Sequence, residues 1–221
     1  MDQKSTYYLL AAVGVLVFGG LVYMVNKNPE VPATTMMDES SEISEKSSSD
    51  NLQGTYEYTI TEGTVKYVAN KVFIATGPTN VEGVNTSVTG SGYFDSATKM
   101  GHVEAMFSFS DFSTGNAARD SDLFQNYVSN KDISIIGDFT DLAMVEGTDQ
   151  NAVLPLNVTI NGVSKQVDFN VTYNVTPETL MARGDSMINL VDFGVKTPNM
   201  LDVYTVEDQV KINFDVMGSR K

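Results

Sequence analysis

The chain of 221 residues contains no cysteine. That single absence removes disulfides, thiolate metal sites, thiol nucleophiles and an acylated lipoprotein cysteine, while leaving the redox compartment open. Histidine is nearly absent too: His102 stands alone, with no second imidazole or thiol to complete a transition-metal site. It is read as a surface or structural residue. Basic residues are scarce, 14 Lys and Arg against 28 Asp and Glu, and the formal net charge of −14 repels a phosphate backbone. Nucleic acid is therefore excluded as a partner, and contact with anionic lipid surfaces has no electrostatic drive. Two further things are missing: a glycine-rich phosphate loop, and the glycine pattern of a nucleophile elbow around any serine. Asp120 and Asp122 fail the spacing of a calcium loop after its second position and read as helix-capping carboxylates. No catalytic residue, metal ligand or cofactor is assigned.

What is present begins with the run LPLNVTINGVSKQVDFNVTYNV, residues 154–175. Asn161-Gly162 is the dipeptide best suited to a type I′ turn, whose twist matches that of paired strands. A two-residue turn there places Ile160 against Val163, Val158 against Lys165, Leu156 against Val167 and Leu154 against Phe169. Thr159/Ser164, Asn157/Gln166 and Pro155/Asp168 then share the opposite face. Apolar meets apolar and polar meets polar, so this register predicts a hairpin with one dry side.

The same two-residue period runs through most of the chain after Gln53. Tyr56, Tyr58 and Ile60 alternate with polar residues, as do Val65 and Tyr67, then Val103, Ala105, Phe107 and Phe109, and finally Val210, Ile212, Phe214 and Val216. Breaks at Gly77-Pro78, Gly90, Gly92, Gly147 and Gly184 separate segments of the length found in an all-β barrel or sandwich. One helix is predicted, Asp120 to Val128, after an Asp or Ser cap, with Leu123, Phe124, Tyr127 and Val128 on one face. The aromatics on the inward phase, Tyr67, Phe107, Phe109, Phe169, Tyr173 and Phe214, suit either a packed core or the lining of a site for a long apolar tail.

The chain divides into four parts. Residues 1–5 form a short N-terminus expected to be cytoplasmic, and residues 6–25 are free of charge and as a helix would span about 30 Å, the thickness of a bilayer's hydrocarbon core. Tyr7, Tyr8 and Tyr23 sit at the interfacial positions, and the acidic residues that follow favour a domain outside the cytoplasm, periplasmic or at the cell surface. The alternative is a cleaved signal peptide ending near Val31-Pro32-Ala33. Residues 26–53, rich in Ser, Glu, Pro and Thr, read as a disordered linker. Residues 54–221 form the β domain.

Three stretches together resemble the YceI-like family of lipocalin-type lipid-binding proteins. Asn116, Arg119, Asp120 and Leu123 match the family's Asn-x-x-Arg-Asp-x-His-Leu run. Ile160, Gly162, Val163, Lys165 and Val167 match its hairpin, and Asp192-Phe193-Gly194 matches its late Asp-Phe-Gly segment. Asp122, Asn161 and Leu190 depart from the family, standing where His, His and Arg are common. The resemblance implies an antiparallel lipocalin-like barrel of about eight strands with a short helix. It also implies a non-catalytic role, holding a long amphiphile such as a polyisoprenoid or isoprenoid quinone. The lining residues expected on this basis are Tyr67, Phe107, Phe109, Leu123, Phe124, Val158, Ile160, Val167, Phe169, Phe193 and Phe214. Lys165, the charged residue on the dry face of the hairpin, is expected to snorkel to the barrel mouth near a polar head group. Arg119 and Asp120 are expected to form an ion pair that pins the short helix. A different class of function fits the same residues: a filled barrel presenting its acidic exterior to a protein partner.

Overall fold

The computed structural model describes residues 52–200 and 202–221, so the expected membrane helix, residues 6–25, and nearly all of the linker lie outside the described residues. Among the described residues no helix is long and apolar enough to cross a membrane. Ten strands and one α-helix follow in order: β1 (Thr55–Phe73), β2 (Gly77–Asn85), β3 (Thr89–Asp95), β4 (Met100–Ser108), α1 (Ala117–Asn126), β5 (Asp132–Thr140), β6 (Gln150–Ile160), β7 (Val163–Val175), β8 (Thr179–Asn189), β9 (Asn199–Met200) and β10 (Tyr204–Arg220). The strands form one antiparallel sheet that closes on itself where β1 pairs with β10. The closed circuit uses eight of them, β1, β3, β4, β5, β6, β7, β8 and β10, while β2 and β9 extend the sheet beyond it. Closure removes the free edges that an open sheet would present.

The hairpin register is the one the alternation predicts: Ile160 pairs with Val163, Val158 with Lys165, Leu156 with Val167 and Leu154 with Phe169. Asn161 and Gly162 both adopt positive φ, 54° and 79°, as a type I′ turn requires. Other expectations are corrected. The two short runs at Tyr56–Ile60 and Val65–Tyr67 belong to one 19-residue strand, β1, whose register slips between Ile60 and Glu62. That bulge inserts one residue, so the buried phase passes from Tyr56 and Tyr58 to Val65 and Ala69. Phe109 is buried but no longer in a strand: β4 stops at Ser108 and a 3₁₀ turn, Phe109–Asp111, follows.

Three of the glycines read as breaks, Gly90, Gly92 and Gly184, stand inside strands. Gly184 lies directly across from Phe214, whose ring covers it, and a Cβ there would stand 2.7 Å from that ring. Helix α1 begins three residues earlier than expected, and its cap is Asn116, whose side chain accepts from the Arg119 N–H at 3.1 Å.

The chain reverses at two ends of the barrel, and they are built differently. One end carries α1, the Asn161-Gly162 turn and a 3₁₀ turn over Leu190–Phe193. These are tied by a single side chain. Asn161 Oδ1 accepts from the N–H groups of Ser129 (2.8 Å) and Asn130 (3.0 Å), and its Nδ2 donates to the Gly194 carbonyl. Arg119 and Asp120 do not pair with each other; both close on Thr114. Asp120 accepts the Thr114 N–H and hydroxyl, while Arg119 Nε donates to Thr114 Oγ1 at 2.8 Å. The opposite end carries the turns at 96–99 and 176–178 and the longer loop 141–149. Leu52 and Gln53, assigned to the linker by composition, dock at this end: Leu52 is 4% exposed and donates its N–H to the Met144 carbonyl.

Candidate functional site

The barrel interior is filled at one end and hollow at the other. Towards the capped end Val158, Ile160, Ile188, Phe193, Val195 and Val210 are all buried in the hydrophobic core. Phe112 marks the floor between the halves. Its ring lies 5.2 Å from Tyr67, 6.0 Å from Phe107 and 5.8 Å from Phe109, and Phe109 meets Phe124 edge-on at 6.1 Å. Edge-to-face aromatic packing of this kind stiffens a boundary beyond simple area burial.

From the middle of the barrel to its other end runs a cavity of about 140 Å³. Large side chains from β6 and β7, Leu154, Leu156, Phe169, Val171 and Tyr173, form one wall. Small residues leave space elsewhere around the lining: Gly92, Ala105, Ala182 and Gly218. Leu142 and Met144 of the 141–149 loop complete the lining.

Polar atoms near the cavity already have partners. Tyr58 Oη donates to the Thr176 carbonyl at 2.8 Å, and Tyr173 Oη donates to the Ala143 carbonyl at 2.8 Å. Burial pushes the Tyr58 hydroxyl up to about 12, with Tyr56 and Glu178 adding to the shift and Arg220 opposing it. Burial likewise raises Tyr173. Neutral, hydrogen-bonded phenols present no charge to the space. His102 pairs with Asp138 at 2.7 Å and stacks on Tyr93, a cross-strand arrangement on β3, β4 and β5. Among the described residues no group of three or more acidic or histidine side chains is arranged to hold a metal ion. The site therefore offers mainly apolar surface and space.

Of the expected lining residues, Phe107, Phe169 and Phe214 face the cavity. Val158, Ile160 and Phe193 are buried in the packed half, and Phe109, Leu123 and Phe124 join the core under the cap. Tyr67 packs on Phe112, and burial, reinforced by Asp120, pushes its hydroxyl up to about 12 despite Arg119. Val167 is half-buried, and Lys165 is exposed close to the capped-end turn, outside the cavity lining. Sequence reasoning left out Tyr58, Leu154, Leu156 and Val171 as lining residues, although their alternation carried the signal. It had no signal for Leu142 and Met144, which sit in a loop without a period.

The fold is a closed antiparallel barrel of eight strands with one short helix and an apolar interior cavity. The chain belongs to the YceI-like domain family, whose sequence pattern matches residues 56–217. Among solved structures it is similar to a polyisoprenoid binding domain from Saccharophagus degradans implicated in plant cell wall breakdown. That likeness has a TM-score of 0.59 at 12% identity, covering 74% of this chain and 98% of that one. Burkholderia cenocepacia BcnA superposes with a TM-score of 0.54 at 18% identity, over 70% of this chain and 95% of its own. The Campylobacter jejuni YCEI protein gives 0.52 at 18% identity, over 65% and 86%. These likenesses show the fold. No curated protein matches by sequence.

Proposed function

We propose that this chain is a membrane-anchored, non-catalytic lipid-binding protein, and that the hollow half of its barrel receives the tail of a long amphiphile, a polyisoprenoid or an isoprenoid quinone. The observation that carries this reading is the cavity itself: apolar walls, neutral phenols already hydrogen-bonded, and small residues where larger ones would fill the space. Each methylene moved from water into such a space gains about 0.8 kcal/mol, so a tail competes well for it. Membership of the YceI-like family and the likeness to a polyisoprenoid binding domain support the same ligand class. The charge-free segment 6–25 is the anchor in this reading, with the N-terminus inside and the barrel outside the cytoplasm.

The test is extraction. Full-length protein is purified from its own host, and bound material is released with organic solvent and identified by mass spectrometry. A stoichiometric amphiphile with a long apolar tail is the expected result; a chain that carries none, and takes none up when offered, overturns the reading.

A further inference from the structure

The outer face of the barrel carries a second concavity, separate from the interior one. It is a shallow trough of about 760 Å³ that crosses five neighbouring strands, β6, β7, β8, β10 and β1. Ladder pairing sets its side chains in two rows. Thr172, Arg183, Asp215 and Thr64 pair in sequence across β7, β8, β10 and β1. Two residues along each strand, Asn170, Asp185, Asn213 and Lys66 make the second row in the same way. Side chains alternate along a strand, so both rows point outward, whereas Val171 and Phe214 between them line the interior cavity. Neighbouring strands stand about 4.8 Å apart, and five of them extend the trough over about 19 Å.

On a chain whose net charge is −14, the two rows are charge-balanced, Lys66 and Arg183 against Asp185 and Asp215. Three of these four are paired at the rim, Lys66 with Glu82, Arg183 with Asp149 and Asp185 with Lys211. A strongly charged ligand therefore finds no excess of the opposite sign. Among the described residues Thr64, Asn170 and Asn213 have no side-chain partner, so groups that both donate and accept stand open along the trough. Apolar surface borders them. Val153 is 62% exposed at the β6 end, and Met181 and Met187 on β8, one step beyond each row, are 48% and 55% exposed. The five strands all lie within the closed circuit with a neighbour on either side, so an extended peptide has no edge to join.

We propose that this trough binds a neutral polysaccharide, an extended chain of equatorially linked pyranose rings lying across the strands. Each sugar hydroxyl donates and accepts, and it meets amides, hydroxyls and carboxylates that do the same between them. The C–H faces of the rings rest on Val153 and the flanking methionines. The spacing of the strands is close to the repeat of such a chain, so successive rings meet successive strands. The trough and the apolar cavity lie on opposite sides of one wall, and this inference stands apart from the lipid-binding reading.

Saturation-transfer difference NMR tests this on the full-length protein, held in a detergent without a sugar head group. The probes are cellohexaose and chitohexaose, both neutral, and a hyaluronan hexasaccharide, extended like them but anionic. Transfer to the ring protons of at least one neutral probe is expected, with the hyaluronan signal at least fivefold weaker. The neutral signal falls at least fivefold in the double variant Asn170→Ala/Asn213→Ala and in Asn170→Trp, which obstructs the trough from an exposed position. Gln166→Ala, exposed on β7 outside the trough, leaves it unchanged. No transfer to either neutral probe, transfer that survives both trough variants, or equal transfer to hyaluronan overturns the proposal. Each of those results leaves lipid binding in the interior as it was.

Discussion

The two halves of this barrel are made by the same strands, yet one is a core and the other a container. In β6 and β7 the inward residues are large throughout, from Leu154 and Phe169 at the hollow end to Val158 and Ile160 at the capped one. What differs is the wall facing them. Towards the cavity β3, β4, β8 and β10 intersperse Gly92, Ala105, Ala182 and Gly218 among larger residues such as Phe107 and Phe214. Towards the cap β8 and β10 contribute Ile188 and Val210, and the turns after β4 and β8 add Phe109, Phe112 and Phe193. A closed sheet of this size sits at the margin between filling itself and holding a ligand, and a few inward positions decide which.

The sharpest break of the comparison is to hollow out the packed half. Phe193 is 2% exposed in the capping turn, and Phe193→Ala removes about 3–5 kcal/mol of stability, read as a lower denaturant midpoint. Next is the seal over that half. Asn161→Gly keeps the left-handed turn conformation and deletes only the amide's three bonds, so it costs about 1–3 kcal/mol by the same measurement. The converse change fills the hollow half. Ala182→Leu grows into existing space, so stability stays within about 1.5 kcal/mol of wild type, while occupancy by a long-tailed lipid falls about tenfold in native mass spectrometry.

The smallest effect is on pH. Tyr58 and Tyr67 hold their protons to about 12 in the folded chain, against an ordinary 10.0. Between those values the unfolded chain releases protons that the folded chain retains, so their contribution is full below pH 10 and is lost as pH rises towards 12. Denaturation midpoints fall across that window, and Tyr58→Phe and Tyr67→Phe each flatten the fall by their own share. Equal flattening places the two ends on the same footing; unequal flattening separates them.

Much of this barrel is legible in the sequence because its side chains alternate. The 154–175 hairpin carries both a turn and a face pattern, and its register follows from them without tertiary information. Which half is hollow is not legible in the same way, since Phe107 and Phe109 have the same parity. One faces the cavity, while the other lies beneath α1 after the strand has ended. Gly184 was readable as a break, and only the cross-strand ring of Phe214 shows why it sits inside a strand. Thr114, the residue on which Arg119 and Asp120 converge, carries no pattern at all, because its role comes from a side-chain bond between a loop and a helix.

β1 has a consequence for how the chain reaches this state. Lys66 pairs with Asn213 and Tyr58 with Arg220, so the first strand of the wall waits for the last. Eight other strands are made before that partner exists, and until then the sheet is an open ribbon in which β1 and β8 both wait for β10. Contacts this distant in sequence are slow to form because the intervening loop must close first. The interior is therefore open along its whole length during synthesis and becomes a compartment only when residues 204–220 arrive.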